Sequence, residues 1–215
     1  MLGLAAVLVP GLAVALSPVP AYAVMLMLED QRGRTLASIF VAGWVAGLAL
    51  LSYLVLIVVD GLAPVDTDQA LGWISLVLAA MMLALALRQW LGRPTEGTAS
   101  AAPSWTREIP DFTAVRTLGV AVPLAAVSLR ILVLAVAAMV SATAADVPSS
   151  GLVWFLAVSC CGVVVPLLIG LVGGQASGSL VSVREWTASN HDAIVITSMV
   201  LVAGAEIAAG LTLLA

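Results

Sequence analysis

The chain has 215 residues, of which 62% are hydrophobic and 9% are charged, and its formal net charge at pH 7 is −4. This composition excludes a separate water-soluble domain of ordinary size, because too few polar residues are present to cover one. It also excludes nucleic-acid binding through a basic surface, because the positive side chains, all eight of them arginines, form no dense cluster.

Six long apolar segments follow one another along the chain: 2–28, 36–59, 69–91, 117–142, 150–173 and 191–214. Each is long enough to cross the hydrocarbon core as a helix, which takes about 20 residues. Ala21-Tyr22-Ala23 resembles a signal cleavage site, but no basic residue precedes it and the apolar run continues through Leu28, so we interpret this segment as a retained helix. The sequence predicts an all-α polytopic protein of the plasma (inner) membrane with six transmembrane helices.

The arginines predict the orientation of these helices. Seven of the eight lie in or beside alternate gaps between the segments: Arg32, Arg34, Arg88, Arg93, Arg107, Arg116 and Arg184. The intervening gaps carry aspartates instead, namely Asp60, Asp66, Asp68 and Asp146. Because positive side chains are retained on the cytoplasmic side, the first, third and fifth gaps are predicted to be cytoplasmic and both termini to lie outside.

The long third gap divides the six segments into two sets of three. Residues 1–91 are predicted to form a first three-helix repeat, 92–116 a polar cytoplasmic linker, and 117–215 a second three-helix repeat, all within one membrane domain. An odd number of crossings per set makes the second set begin on the opposite side of the membrane. This arrangement is typical of transporters built from inverted repeats.

Prolines interrupt the opening segment of each half, with Pro18 and Pro20 in the first and Pro123 in the second. Pro18 and Pro20 lack a backbone N–H and disfavour helical dihedral angles in the residues before them. We expect the first helix to unwind for about one turn near Ser17, close to the membrane midplane. Either this is a packing kink, or it is a break that lines a substrate path, since unwound backbone at this depth must face protein or water.

Two ionisable residues, Arg130 and Glu206, lie deep inside predicted spans. They follow Arg116 and Asp192 by the same number of residues, so both are expected about 21 Å from the cytoplasmic end of their helices. Because an unpaired charge at this depth is unfavourable, we expect the two to pair, directly or through water. A structural salt bridge and a role in substrate binding or proton coupling both remain open.

Together these residues predict one transport cavity near the midplane, in which Arg130 offers a fixed cation to an anionic head group. The residues expected to border it are Ser17, Pro18, Pro20, Pro123, Ser128, Arg130 and Glu206. A tightly packed bundle in which the prolines only shape helices is the alternative.

The remaining motifs give weaker signals. Gly43 and Gly47 have the spacing of a close helix contact. Asn190 or Asp192 is expected to cap the last helix, which makes His191 a neighbour of the cap rather than a proton relay. One deep carboxylate supplies too few ligands for a metal, and no phosphate loop or hydrolase motif is present. We therefore predict no metal, no cofactor and no enzymatic activity.

Several runs resemble a known family. The stretch from Ala15 to Leu28, the charged turn Arg32-Gly33-Arg34 and the stretch from Phe40 to Gly47 are similar to the start of GAP/Sap proteins. These are the glycolipid-addressing proteins of actinobacterial envelopes, in the lysine exporter (LysE) superfamily. The similarity continues at Pro166, at Val183–Trp186 and at Asn190-His191, and so covers nearly the whole chain.

The resemblance implies two inverted three-helix repeats and export or flipping of a cell-envelope glycolipid or related amphiphile, with membrane lipids as partners. In one place the chain departs from the family. Ser128-Leu129-Arg130 stands where such proteins carry an Asn-Pro-Lys-like motif, which keeps the positive charge, loses the proline break and makes Pro123 the expected hinge.

Two other functions remain open. The chain is either an accessory membrane subunit of a larger lipid-export or envelope-synthesis complex, or a small-solute or amino-acid exporter. Its oligomeric state is open as well, with a homo-oligomer and a larger envelope-export complex as alternatives.

Overall fold

The computed structural model describes residues 2–28, 33–62, 67–92, 112–173 and 178–215, and all the regular secondary structure in this part of the chain is helical. Residues 93–111 of the linker predicted at 92–116, and Asp66, lie outside the described residues. The helices are α1 Leu2–Ala15, α2 Pro18–Leu28, α3 Gly33–Leu62, α4 Thr67–Leu91, α5 Ala114–Ala126, α6 Leu129–Ala144, α7 Pro148–Gly173, α8 Gly178–Ser189 and α9 His191–Leu214.

Four of these helices, α3, α4, α7 and α9, are each long and apolar enough to cross a membrane. The pairs α1–α2 and α5–α6 meet the same criterion together but are bent by 42° and 54° at a short break. The described residues thus contain four candidate spans, or up to six if each bent pair crosses as one. Every apolar segment identified in the sequence coincides with one long helix or one bent pair. The short helix α8 was not predicted, because its sequence is less apolar.

The first break is shorter than predicted, and it precedes the prolines. Only Leu16 and Ser17 lie between α1 and α2. The N–H of Ser17 donates to the carbonyl of Val14 at 2.9 Å, which closes α1 with a tight final turn. Pro18 and Pro20 lie in the first turn of α2, where a missing N–H removes no helical hydrogen bond. The predicted break near Ser17 is confirmed, but it is two residues long rather than about one turn, and the prolines begin a second helix.

The second break has no proline of its own. It lies at Val127 and Ser128, while Pro123 remains inside α5. The N–H of Val127 donates to the Pro123 carbonyl at 2.8 Å and ends α5. The expectation that Pro123 itself is the hinge is therefore wrong, since the chain bends four residues later. Both breaks are two residues long, and each ends in a serine, Ser17 or Ser128.

Glycines bring neighbouring helices into close contact. A Cβ added at Gly47 of α3 would lie 2.8 Å from the Val122 carbonyl oxygen of α5, and Gly43 packs against Ala121. The predicted close contact at these glycines is confirmed. Residue numbers increase in the same direction along both helices at this contact, so α3 and α5 run parallel.

Two further pairs complete the bundle. Gly162 of α7 packs against the Ala15 carbonyl of α1, one turn beyond the contact of Gly11 with Val158, so these helices also run parallel. In contrast, α4 and α9 run antiparallel, because Gly72 near the start of α4 meets Leu214 at the end of α9.

These directions give the bundle two ends. The basic end holds the C-terminus of α4 and the N-terminus of α9, with Arg88. The acidic end holds the N-terminus of α4, the C-terminus of α9 and the turn from α6 to α7, where Asp146 adopts a left-handed φ of 57°.

Candidate functional site

A cavity of about 470 Å³ lies between the two helix breaks and extends to the basic end of the bundle. We call it the break cavity. It is lined by the breaks themselves, by α3, and by the ends of α4 and α9: Ser17, Pro18, Val19, Pro20, Trp44, Leu85, Arg88, Gln89, Gly92, Leu124, Ser128, Arg130, Ile131, His191, Val195 and Met199. The two bent pairs, α1–α2 and α5–α6, each change direction at the level of this cavity.

Arg130 connects the two breaks. It is the second residue of α6, and its Nη2 donates to the Ala13 carbonyl oxygen at 3.1 Å and to Ser198 Oγ at 2.9 Å. The Ala13 carbonyl is available because the N–H of Ser17, its partner in a continuous α-helix, donates to Val14 instead. A guanidinium from the second half therefore satisfies a backbone carbonyl that the first break releases. Hydrogen bonds to a charged donor are the stronger kind, at about 1.5–3 kcal/mol.

Two buried N–H donors of the cavity-lining residues have no acceptor within the described part of the chain. They are Nε of Arg130 and Nε1 of Trp44. Trp44 is 1% exposed, so its indole is among the largest fully buried side chains. Because an unsatisfied buried donor is unfavourable by about 1–3 kcal/mol, the two groups favour a ligand that accepts hydrogen bonds.

The charge of the break cavity is positive. Arg88 and Arg130 both line it, and none of the described lining residues carries a carboxylate. Asp192 follows the lining residue His191 in the sequence but is not itself a lining residue. Its Oδ1 accepts from Gln89 Nε2 at 2.7 Å, and this bond joins the start of α9 to the end of α4. Cationic donors without a competing carboxylate suit an anion.

Glu206 lies elsewhere. It is 1% exposed on α9, and its Oε1 accepts from Ser141 Oγ at 3.3 Å. It follows Ser198, the partner of Arg130, by eight residues, which is about 12 Å of helical rise. The predicted pairing of Arg130 with Glu206 is therefore wrong, because each has other partners at a different depth. Equal depths were predicted for two straight helices, whereas the fourth segment bends by 54° before Arg130.

The structure thus divides the residues that the sequence singled out. Five of them line the break cavity: Ser17, Pro18, Pro20, Ser128 and Arg130. Pro123 and Glu206 do not, although Leu124, the neighbour of Pro123, does. That the five bind a substrate remains a prediction.

Other lining residues were not predicted from the sequence. Trp44 and Arg88 gave no signal beyond a tryptophan in a glycine-rich segment and an arginine near the end of a span. His191 was interpreted as a neighbour of a helix cap rather than as a proton relay. Asn190 does occupy the N-cap position of α9, but its Nδ2 donates to the Trp186 carbonyl at 2.9 Å and it makes no side-chain cap bond.

A model of the family described as Sap, sulfolipid-1-addressing protein, matches residues 7–212. The resemblance seen in the sequence is thereby confirmed. No curated protein and no solved structure matches the chain.

Proposed function

The chain belongs to the Sap, sulfolipid-1-addressing protein family, and we propose that it is a transporter of the lysine exporter superfamily. In this proposal it exports or flips an anionic glycolipid or related amphiphile across the plasma membrane. The observation that supports this most strongly is the break cavity, in which Arg130 joins two broken helices and keeps one N–H unpaired.

The head group is the part of the substrate that the break cavity would bind. Sulfate, phosphate and carboxylate oxygens only accept hydrogen bonds, and the guanidinium groups of Arg88 and Arg130 and the indole of Trp44 only donate them. A cavity of about 470 Å³ lies within the usual range for small-ligand sites, about 300–1,000 Å³, so it suits a polar head group.

Acyl chains would stay outside the cavity, in lipid. Leu16 and Val127, the residues before the two break serines, have 55% and 77% of their surface exposed. Each break therefore reaches the apolar surface of the bundle as well as the cavity. Hydrocarbon chains gain no free energy by entering an aqueous space. A substrate with its head group at Arg130 and its chains beside a break fits both environments.

Contacts between helices support an inverted-repeat transporter. The parallel pair α1 and α7 has a counterpart in the parallel pair α5 and α3, and each half opens with a helix that breaks at a serine. The antiparallel pair α4 and α9 is a third contact between the two halves, with one helix from each. In such proteins the substrate binds at discontinuous helices, and one repeat moves against the other.

Arg130 would couple head-group binding to this movement. An anion at Arg130 competes with the Ala13 carbonyl for the same guanidinium. Binding therefore weakens a hydrogen bond between the two halves, and release restores it.

Reconstitution in liposomes tests the proposal. The probe is a sulfated glycolipid with a fluorescent acyl chain, and its uncharged counterpart serves as the second substrate. We expect the wild-type protein to flip the sulfated lipid and Arg130→Gln to be at least roughly tenfold slower, since a charge-assisted bond of about 1.5–3 kcal/mol is lost. Arg116→Gln, which changes an arginine outside the break cavity, is the matched control.

Two outcomes would contradict the proposal. One is an unchanged rate with Arg130→Gln. The other is a purified, folded wild-type protein that flips neither lipid, which would favour an accessory subunit of a larger export complex.

A further inference from the structure

A second cavity, of about 490 Å³, lies at the acidic end of the bundle beside Glu206. Its lining includes Ser75 of α4 and Ser141 of α6, the two serines whose hydroxyls neighbour the Glu206 carboxyl. The remaining lining is mostly small and apolar, with alanines of α6 and α9 and with Thr212 near the end of α9. We call it the acid cavity.

Three helices, α4, α6 and α9, line both cavities, and the cavities are separated along each of them. The residues between the two linings on these helices include Met82, Leu134 and Val202, which are buried and apolar, as is Ala13 of α1. Arg130 and Ser141 are eleven residues apart on α6, which is about 16 Å of rise. The acid cavity is therefore a distinct site.

Glu206 and Ser75 are both incompletely paired. Glu206 Oε2 and Ser75 Oγ are buried and have no hydrogen-bond partner within the described residues. The other carboxyl oxygen has one long bond, from Ser141 Oγ. An ionised carboxylate normally accepts several hydrogen bonds when buried.

No cation within the described side chains compensates Glu206. The helices packed against α9 are α4, α1, α6 and α2. Their charged groups with described side chains are Arg88 and Arg130, and both line the break cavity. On α9 itself, His191 and Asp192 lie at the basic end, and Asp68, in the first turn of α4, has no described side chain. An ionised Glu206 would thus be buried without a counter-charge, which is strongly unfavourable.

We propose that Glu206 is a proton-binding site that is reached from the acidic end through the acid cavity. Glu206 does not line the cavity itself, so a hydronium ion there protonates Ser75 Oγ and leaves a water molecule, and the serine passes its own hydroxyl proton to Oε2. Two O–H bonds break and two form. The new hydroxyl donates to Ser75 Oγ. A single proton therefore removes the buried charge and pairs both unsatisfied atoms. Coupling of this proton to export rests on the proposed function, whereas its binding at Glu206 does not.

Infrared spectroscopy of the full-length protein in detergent measures this proton directly. A neutral carboxyl group has a C=O stretch that is separate from ionised carboxylates and amides, and the band shifts in heavy water. We expect the wild-type protein at neutral pH to show such a band with an area of at most one carboxyl, and Glu206→Gln to lose it. Asp60→Asn, which changes an exposed acid on α3, is the matched control and should keep the band.

Ser75→Ala gives an independent test that leaves the carboxyl in place. Removal of the acceptor should shift the band of the neutral carboxyl, because its O–H then lacks a partner. Gel filtration and tryptophan fluorescence establish that each variant is folded.

Two results would overturn the proposal: a wild-type spectrum without the band, or a band that survives Glu206→Gln. A band that Ser75→Ala does not shift would show that Ser75 does not accept from the neutral carboxyl. The infrared readout requires no transport, so failure of the lipid-flipping assay would leave it unaffected.

Discussion

Arg130 of α6 donates a 3.1 Å hydrogen bond to the carbonyl oxygen of Ala13, the last but two residue of α1. The two residues belong to different halves of the chain, and Arg130 lines the break cavity. The first break releases the carbonyl, and a side chain beside the second break takes it up. This bond makes the conformation of each broken helix depend on the other.

Arg130→Lys is expected to weaken head-group binding by roughly tenfold or more, because an ammonium lacks the planar fork that binds two oxygens of one anion. The free energy of unfolding should change little, since the positive charge is kept. Binding of a sulfated glycolipid to the protein in nanodiscs measures the effect. Wild-type affinity in this variant would show that a point charge suffices.

Trp44→Phe removes the unpaired indole N–H and keeps an aromatic ring in the core. We expect binding of the sulfated glycolipid to fall at least roughly tenfold, because a hydrogen bond to a charged acceptor contributes about 1.5–3 kcal/mol. The melting temperature should not fall by a matching amount, because the unbound protein loses only an unsatisfied donor. Trp73→Phe, at an exposed tryptophan, is the control and should bind like the wild type.

Gly162→Ala should destabilise the bundle by about 1–3 kcal/mol, the usual range for an overpacked site. The added methyl group would overlap the Ala15 carbonyl just before the first break. Gly204→Ala is the matched control, because nothing lies within 4 Å of its added methyl group. Thermal unfolding in detergent, followed by circular dichroism, compares the two. Equal melting temperatures would contradict the close contact of α1 with α7.

Arg130→Met and Glu206→Gln are expected to have additive effects on stability. The two side chains have separate partners and lie about 12 Å apart along the bundle, and residues that far apart couple by less than about 0.5 kcal/mol. A double-mutant cycle by chemical unfolding measures the coupling. If the double variant is clearly more stable than the sum of the two single effects predicts, the two side chains interact directly and the prediction is wrong.

The orientation in the membrane follows from the arginines and is tested by cysteine labelling. In a background with Cys160→Ser and Cys161→Ser, an impermeant reagent added to intact cells should modify Asp146→Cys and should not modify Ser100→Cys. The physical reason is that positive side chains are retained in the cytoplasm. Labelling of the second variant in sealed cells would reverse the predicted orientation.

The sequence by itself determined the helical segments. A crossing needs about 20 apolar residues in a row, and this is a local property that can be read one segment at a time. The last segment, predicted at 191–214, coincides with α9. A break near Ser17 was also predictable, because proline acts on the residues next to it. Its length was overestimated, since prolines at the start of a helix are compatible with helical structure.

Only the tertiary structure decided which polar groups meet. The break at Val127 and Ser128 has no proline in it, and its 54° bend changes the depth of every residue that follows in α6. Depth counted along a straight helix therefore placed Arg130 beside Glu206, whereas the folded chain places it beside Ala13. Trp44 belongs to the break cavity because α3 packs against both broken helices, and helix contacts of this kind depend on residues far apart in sequence.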